Sequence, residues 1–400
     1  MPFSVFLGWV DNGIPAVPKR NFLNFMSVLT SDTHLNLLVQ PPVMSPEERL
    51  HKIESIAEEI IGKEELIELL KSTSRITAYD GFEPSGRIHI AQGLLRVITI
   101  NKLTDAGVDF IMWVADWFAL MNNKMDGDLE KIRTVGEYFI EVWKSCGLDL
   151  NHVKFLWASE HMDQDYWLTV VRIGTMNTVD RVTRCAQIMG RSDKDKLSAA
   201  QIFYPCMQAA DIFKLKVDIA QLGMDQRKVN MLAREVAPKL GYAKPIAIHH
   251  HMLMGLTEPK AEGLSGADAA IAKKMSKSNP ASAIFMTDTV EEVEKKFKKA
   301  YCPQGQVQDN PVLEYMKYIV FERVDTVVIE RPEKFGGDVT FNTYADLEKA
   351  FVDEQLHPMD LKSAAAKYIN ALLEPTRKHF ATDARAKALL EQVQGFEVTR

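Results

Sequence analysis

The sequence predicts an α/β protein, a doubly wound parallel sheet followed by a mostly helical C-terminal domain. Three observations lead there. Apolar strand-like runs alternate with helix-length amphipathic segments between residues 75 and 250, the pattern of successive βαβ units. A chain of 400 residues with 46% hydrophobic content can bury more than one core. After Lys260 the composition turns polar and glycine-bearing, and a helical pattern resumes from Thr289.

Residues 1–45 read as an irregular extension, since Gly8, Gly13, Pro15, Pro18, Pro41 and Pro42 leave no helical periodicity. An organellar address and a true start at Met26 or Met44 are both open readings. Ser45-Pro46-Glu47-Glu48 has the form of a capping box with proline at the first helical position. The spacing of Ile53, Ile56, Ile60, Leu66 and Leu70 predicts a helix interrupted once, at Gly62. Arg75–Asp80 reads as a strand, Ile90–Leu103 as a helix, and Asp109–Asp116 as a buried parallel strand. A helix over Leu129–Cys146 and a strand over Val153–Ala158 follow. Met162–Ala210 reads as mostly helical, Asp211–Ile219 as a strand, Asp225–Leu240 as a helix and Pro245–His250 as a short strand. The helix would turn Val229, Leu232, Val236 and Leu240 to the core. Three units are expected: the extension, a catalytic unit over 46–285 with a helical insertion at about 129–200, and a C-terminal unit over 286–400.

Composition narrows the function classes. A net charge of −6 is unremarkable, and nucleic-acid binding would need a local basic face. Cys146, Cys185, Cys206 and Cys302 are too sparse for a disulfide scaffold and lack metal-ligand spacing, so a reducing, cytoplasmic setting is expected. There is no run of eighteen apolar residues, so no membrane span is expected. His249, His250 and His251 are adjacent, and on a strand they would not converge on one ion; no metal site is expected.

Four segments carry chemistry. Tyr79-Asp80-Gly81-Phe82-Glu83-Pro84-Ser85-Gly86-Arg87-Ile88-His89 lies between a strand and a helix, where glycines permit close backbone approach and the helix start offers N–H groups to anions. It lacks the endings of a Walker loop and of a dinucleotide fingerprint. Lys274-Met275-Ser276-Lys277-Ser278 puts two lysines three positions apart in a serine-bearing loop, suited to wrapping a triphosphate. Tyr204, Gln208 and Asp211 fall at i, i+4 and i+7 on one helical face, with Gln226 further along. In the C-terminal unit, Arg331–Asp338 carries Phe335, and His357-Pro358-Met359-Asp360 precedes a helix that Asp360 could also cap.

These segments resemble the class I aminoacyl-tRNA synthetases. The lysine-serine loop matches that family's KMSKS signature at all five positions. His89-Ile90-Ala91-Gln92 is a loosened form of its His-Ile-Gly-His segment, with glutamine still able to donate a hydrogen bond. Tyr-x-x-x-Gln-x-x-Asp, together with Tyr79, is similar to the tyrosine pocket of archaeal–eukaryotic tyrosyl-tRNA synthetases. The resemblance covers the chain from about residue 46 onward. It implies a Rossmann-like catalytic domain with a helical anticodon-binding domain, and a ligase that forms tyrosyl-adenylate from L-tyrosine and ATP and passes tyrosine to tRNA(Tyr).

It also implies roles for residues. His89, Lys274 and Lys277 would be catalytic, and Gly86, Gln92, Met275, Ser276 and Ser278 would join them around ATP. Tyr79 and Asp211 would meet the substrate hydroxyl, while Tyr204, Gln208 and Gln226 hold the α-ammonium. Phe335 and Asp360 would read an anticodon base by stacking and hydrogen bonding. Mg²⁺ would enter with ATP, no cofactor would be tightly bound, and a homodimer would form. Alternatives are a tryptophanyl relative, a silent RNA-binding scaffold and a nucleotidylyltransferase for a small cofactor.

Overall fold

The computed structural model describes residues 44–72, 75–185, 196–259, 263, 269, 272–275 and 280–396. A six-stranded sheet forms its centre. Its strands are β1 (Ala57–Ile61), β2 (Ile76–Phe82), β3 (Val108–Val114), β4 (Val153–Trp157), β5 (Ile219–Gly223) and β6 (Ile246–His250), in the order β1-β6-β5-β2-β3-β4. All neighbours are parallel except β1, which runs antiparallel to β6 and covers that edge. The chain leaves β2 toward β3 and β4 and returns on β2's other side through β5. The switch point, and the crevice it opens at the strand C-termini, therefore lies between β2 and β5.

Helices cover both faces. On one side α3 (Leu94–Asp105) and α5 (Leu129–Ser145) bury Val97, Ile100, Val135, Phe139 and Trp143 against the sheet. On the other, α9 (Ala199–Leu215) and α10 (Arg227–Leu240) bury Met207, Ala210, Val229, Leu232 and Val236, with α7 (Gln164–Thr175) packed against α9; α4 (Asp116–Met121), α6 (Ala158–His161) and α8 (Val179–Thr183) are short helices between the longer ones. Three helices begin with reciprocal capping boxes at Ser45, Ser198 and Thr289. In each, the side-chain oxygen accepts from an N3 amide and the N3 Glu or Gln returns the bond. The first of them opens α1 (Pro46–Glu54) as its sequence predicts.

Two expected elements differ. The helix expected to run on through Ile56 and Ile60 stops at Glu54; Ala57–Ile61 is β1, and α2 (Lys63–Ser72) starts after Gly62, whose φ of +89° makes the turn. The spacing of those isoleucines fits a helix, but the free edge of β6 draws them into a ladder. The strand expected over Asp211–Ile219 is the end of α9, stopped by Lys216 at φ +52°, and β5 begins only at Ile219. α9 is buried along most of its length, so apolar residues on every side hide its period. A smaller shift affects the Ile90–Leu103 helix, which starts at Leu94 and leaves residues 89–93 as a turn.

Beyond the sheet, α11 (Val290–Lys299) and α12 (Pro311–Tyr315) lead to a small antiparallel pair, β7 (Val327–Ile329) and β8 (Val339–Phe341). Then come α13 (Tyr344–Val352), α14 (Pro358–Thr382) and α15 (Ala384–Gly395). The apolar core on the α3/α5 face continues without a break into Val293, Phe297, Leu361, Ile369 and Leu389. Polar ties cross the same junction: Ser145 Oγ donates to Thr376 Oγ1 at 2.9 Å, and Glu137 pairs with Arg385 at 2.8 Å. Among the described residues no helix is long and apolar enough to cross a membrane.

Candidate active site

A cavity of about 280 Å³ opens at the switch point, over the C-terminal ends of β2 and β5. Its wall comes from both sheet faces. Tyr79, Trp113 and Tyr204 belong to the core on the α9 side; Leu95 and Met275 belong to the opposite core.

The first half is rigid and buried. Tyr79 on β2 is fully buried, and its hydroxyl reaches Gln208 O at 3.5 Å, the limit of a hydrogen bond. α9 presents Tyr204, Gln208 and Asp211 on one face into the cavity, as their spacing requires. Asp211 is 2% exposed, and burial holds its pKa well above the usual carboxylate range, against hydrogen bonding from Tyr166 and a smaller pull from Trp113. Tyr166 on α7 is within 2.9 Å of Asp211 Oδ1 and 3.0 Å of Met207 O. Burial also raises the pKa values of Tyr79, Tyr166 and Tyr204, and nearby carboxylates add to it. Every phenol here is thus a neutral donor. Tyr204 donates to Glu83 Oε1 at 2.5 Å, and Gln208 Nε2 donates to Gln226 Oε1 at 2.9 Å.

The second half is carried by turns. His89 sits in the turn before α3, 8% exposed, where the backbone pairs with the segment after residue 280: Ile90 N donates to Ile284 O and Met286 N to Ile88 O. Gln92 lines the cavity, and its Oε1 is buried without a partner. Gly86 does not line it; with φ at +93° it makes the turn that brings Ser85 and His89 to the wall. Lys274 is held by the backbone of residues 253–255, through Met275 N to Leu253 O and Gly255 N to Lys273 O. Its ammonium pairs with Asp225 Oδ2 at 2.8 Å across the cavity. Ser276, Lys277 and Ser278 lie outside the described residues.

Beneath this half is a buried polar floor. Arg96 on α3 pairs with Asp80 at 2.9 Å and with Gln221 at 2.7 Å, and lies 3.3 Å from His250 Nδ1. Burial lifts the Asp80 pKa to about 7 despite the guanidinium. Beside it, Glu314 and Glu58 overcome burial to raise His251 to about 9.

Several of these residues escape sequence reading. Glu83, Trp113, Tyr166 and Asp225 face the predicted residues from elements far along the chain; Glu83 and Tyr204 are 121 positions apart. Only Glu83 and Asp225 carried a signal, each lying inside a segment already marked by its neighbours. Asp116, at the end of the expected strand, does not line the cavity. It is fully buried and accepts from Trp117 N, Ser159 N and Ser159 Oγ, tying the start of α4 (Asp116–Met121) to residue 159.

Far from the cavity, Phe335 is 63% exposed on a short turn. Asp360 lies in the first turn of α14, and the cap of that helix is His357, whose Nδ1 accepts from Met359 N. Arg331 Nη1 donates to Gln355 O at 2.9 Å, which brings the two segments side by side.

A family model described as tRNA synthetases class I (W and Y) matches residues 71–374. A relative from Arabidopsis thaliana, "Tyrosine--tRNA ligase 1, cytoplasmic", is 51% identical over 358 residues, which cover 88% of this chain and 90% of the relative. Among solved structures, Leishmania major tyrosyl-tRNA synthetase in complex with tyrosinol aligns with a TM-score of 0.80 and 46% identity; the match covers 88% of this chain and 60% of that one. Tyrosyl-tRNA synthetase of Pyrococcus horikoshii complexed with L-tyrosine aligns at 0.81 and 39% identity, covering 87% of this chain and all of that one.

Proposed function

We propose that this chain, which belongs to the class I tRNA synthetases of the tryptophan and tyrosine group, is a tyrosine–tRNA ligase of the archaeal–eukaryotic type. The observation that carries the choice of amino acid is Asp211. A carboxyl group 2% exposed on the wall of an aromatic-lined cavity, with Tyr166 engaged on Oδ1, is placed to accept a hydroxyl that a ligand brings to it. Tyrosine brings one. Phenylalanine would leave the buried carboxyl and the Tyr79 hydroxyl unsatisfied, a defect of roughly 10⁴–10⁵ in selectivity for sites of this kind.

The remaining groups take complementary parts. Tyr204, Gln208 and Gln226 hold the α-ammonium, with the Glu83 carboxylate behind Tyr204 supplying negative charge. A tyrosine carboxylate oxygen then attacks the α-phosphorus of ATP. The bond to the bridging oxygen breaks, and pyrophosphate leaves with the Mg²⁺ that entered on ATP. His89, Gln92, Met275 and Lys274 contact the nucleotide, with Ser276, Lys277 and Ser278 of the same loop. The lysines neutralise charge on the leaving pyrophosphate. Lys274 pairs with Asp225, and the triphosphate competes with that carboxylate for the ammonium. In the second step the terminal adenosine's 2′- or 3′-hydroxyl attacks the tyrosyl carbonyl and AMP leaves. No covalent enzyme nucleophile takes part; positioning and charge do the chemistry.

Phe335 and Asp360 stack on and hydrogen-bond an anticodon base of tRNA(Tyr), and residues 286–400 form the unit that carries them. The chain works as a cytoplasmic homodimer. Support for the dimer is an apolar surface on and around α7, where Trp167, Leu168, Val171, Val179 and Phe203 are exposed. ATP–pyrophosphate exchange measured with each amino acid tests the function. Exchange dependent on tyrosine alone, followed by tyrosine charging of total tRNA, is the expected result; exchange driven by tryptophan, or none, overturns it.

A further inference from the structure

Trp113 stands on β3 at the wall of the cavity, fully buried, and the proposed reaction gives it no part. In the parallel ladder it pairs with Gly81, as Ile111 pairs with Tyr79, so the indole and the Tyr79 phenol project from the same sheet face. The ring lies beside residue 81: a Cβ there would make ordinary van der Waals contact with Trp113 Cδ1 at 3.6 Å. The other side of the indole packs on the His161 ring, centroids 5.7 Å apart. The ring is therefore fixed, and among the described residues its Nε1–H meets no acceptor in full hydrogen-bonding geometry; the group it is drawn toward is the Asp211 carboxyl. A buried donor left without a full hydrogen bond is uncommon in a native fold and destabilising. At a ligand cavity it marks a place where the ligand supplies the acceptor.

We infer that the Trp113 indole N–H is a third reader of the substrate phenol, donating to the tyrosine hydroxyl oxygen beside Tyr79 and Asp211. The inference rests on the tyrosine reading above. The hydrogen-bond count closes on it. A phenol hydroxyl has one proton and two lone pairs. Its proton goes to Asp211, which Tyr166 engages on Oδ1 and which therefore has Oδ2 to offer. One lone pair accepts from Tyr79, whose bond to Gln208 O is at its length limit and easily exchanged. The second lone pair accepts from Trp113. The same N–H leans toward Asp211 and favours its charged form through a weak hydrogen bond, so the donor stands at the level of the carboxyl group, and a phenol oxygen seated between the two takes that bond over. Phenylalanine then strands three groups rather than two.

The test uses Trp113→Phe, which keeps an apolar ring and removes the N–H. Tyrosine-dependent exchange should lose about 3- to 10-fold in kcat/KM, the worth of one hydrogen bond. The slow activation of phenylalanine and the KM for ATP should stay unchanged. Equal losses for tyrosine and phenylalanine, or no loss for either, overturn the inference. If Trp113→Phe does not fold, the benzothiophene analogue of tryptophan at this position exchanges N–H for sulfur at nearly constant shape and is read in the same way. Wild-type protein that fails to respond to tyrosine would instead sink the function itself, so the two failures are distinguishable.

Discussion

The two halves of the cavity are built differently. Around Asp211, side chains come from β2, β3, α7 and α9, all regular elements, and Tyr166, Tyr204 and Gln208 are bonded before any ligand arrives. Around Lys274, the groups come from turns and, among the described residues, from a segment tied to 253–255 by two backbone bonds, and the lysine is paired with a residue it must release. Selectivity asks for buried polar groups that cannot adapt, since an adaptable pocket forgives the wrong substrate. Catalysis asks for charges that arrive with the nucleotide and leave with the product. Rigid elements serve the first need and loops the second.

The difference can be broken or sharpened by substitution. Asp211→Ala should raise the tyrosine requirement by about 10³-fold or more while the ATP requirement moves little, because a hydroxyl left without its carboxyl loses the whole contact. Steady-state exchange at varied tyrosine and varied ATP reads both; equal shifts would dissolve the separation of the halves. Lys274→Ala should do the reverse, slowing single-turnover adenylate formation by about 10²–10³-fold with tyrosine affinity intact. Lys277→Ala is expected to behave alike, and unchanged adenylation would remove the loop from the mechanism.

The third prediction concerns pH. His251 anchors the segment that carries Lys274 by pairing with Glu314 and Glu58, and Glu314 also accepts from Met254 N. Its pKa rises from 6.5 to about 9 on folding. The pairing therefore contributes fully below pH 6.5 and is lost as pH climbs through 9, at most about 3 kcal/mol. Urea unfolding of His251→Gln should show that deficit at pH 6 and little of it at pH 10. A deficit equal at both values would mean that packing, not charge, holds the segment. The smallest effect falls outside the cavity. Phe335→Ala should raise the KM for tRNA about 10-fold, the worth of one stacked base, and leave pyrophosphate exchange untouched. A change in exchange would show that the exposed turn reaches the catalytic half.

How much of this was legible in the sequence follows the same division. The half proposed to hold phosphate offered a local signal because its residues are contiguous: His89 and Lys274 sit in short segments marked by their own spelling. The tyrosine half was partly readable, since Tyr204, Gln208 and Asp211 share one helical face. Tyr166 and Trp113 were not, because nothing local to them records which distant residue they will meet, and Glu83 was marked only by the segment around it. The sheet followed from alternation, but β1 did not. Its isoleucines keep helical spacing, and only the open edge of β6, nearly 190 residues away, decides their conformation. Asp211 was placed on the correct helical face and also at the start of a strand. A helix buried all round gives no period to choose between the two.

The account stands most directly on one ratio, kcat/KM for tyrosine over phenylalanine in ATP–pyrophosphate exchange by the wild-type protein. A buried carboxyl reading a hydroxyl predicts about 10⁴ or more. A ratio below about 100, which an apolar pocket could reach from shape alone, would contradict it.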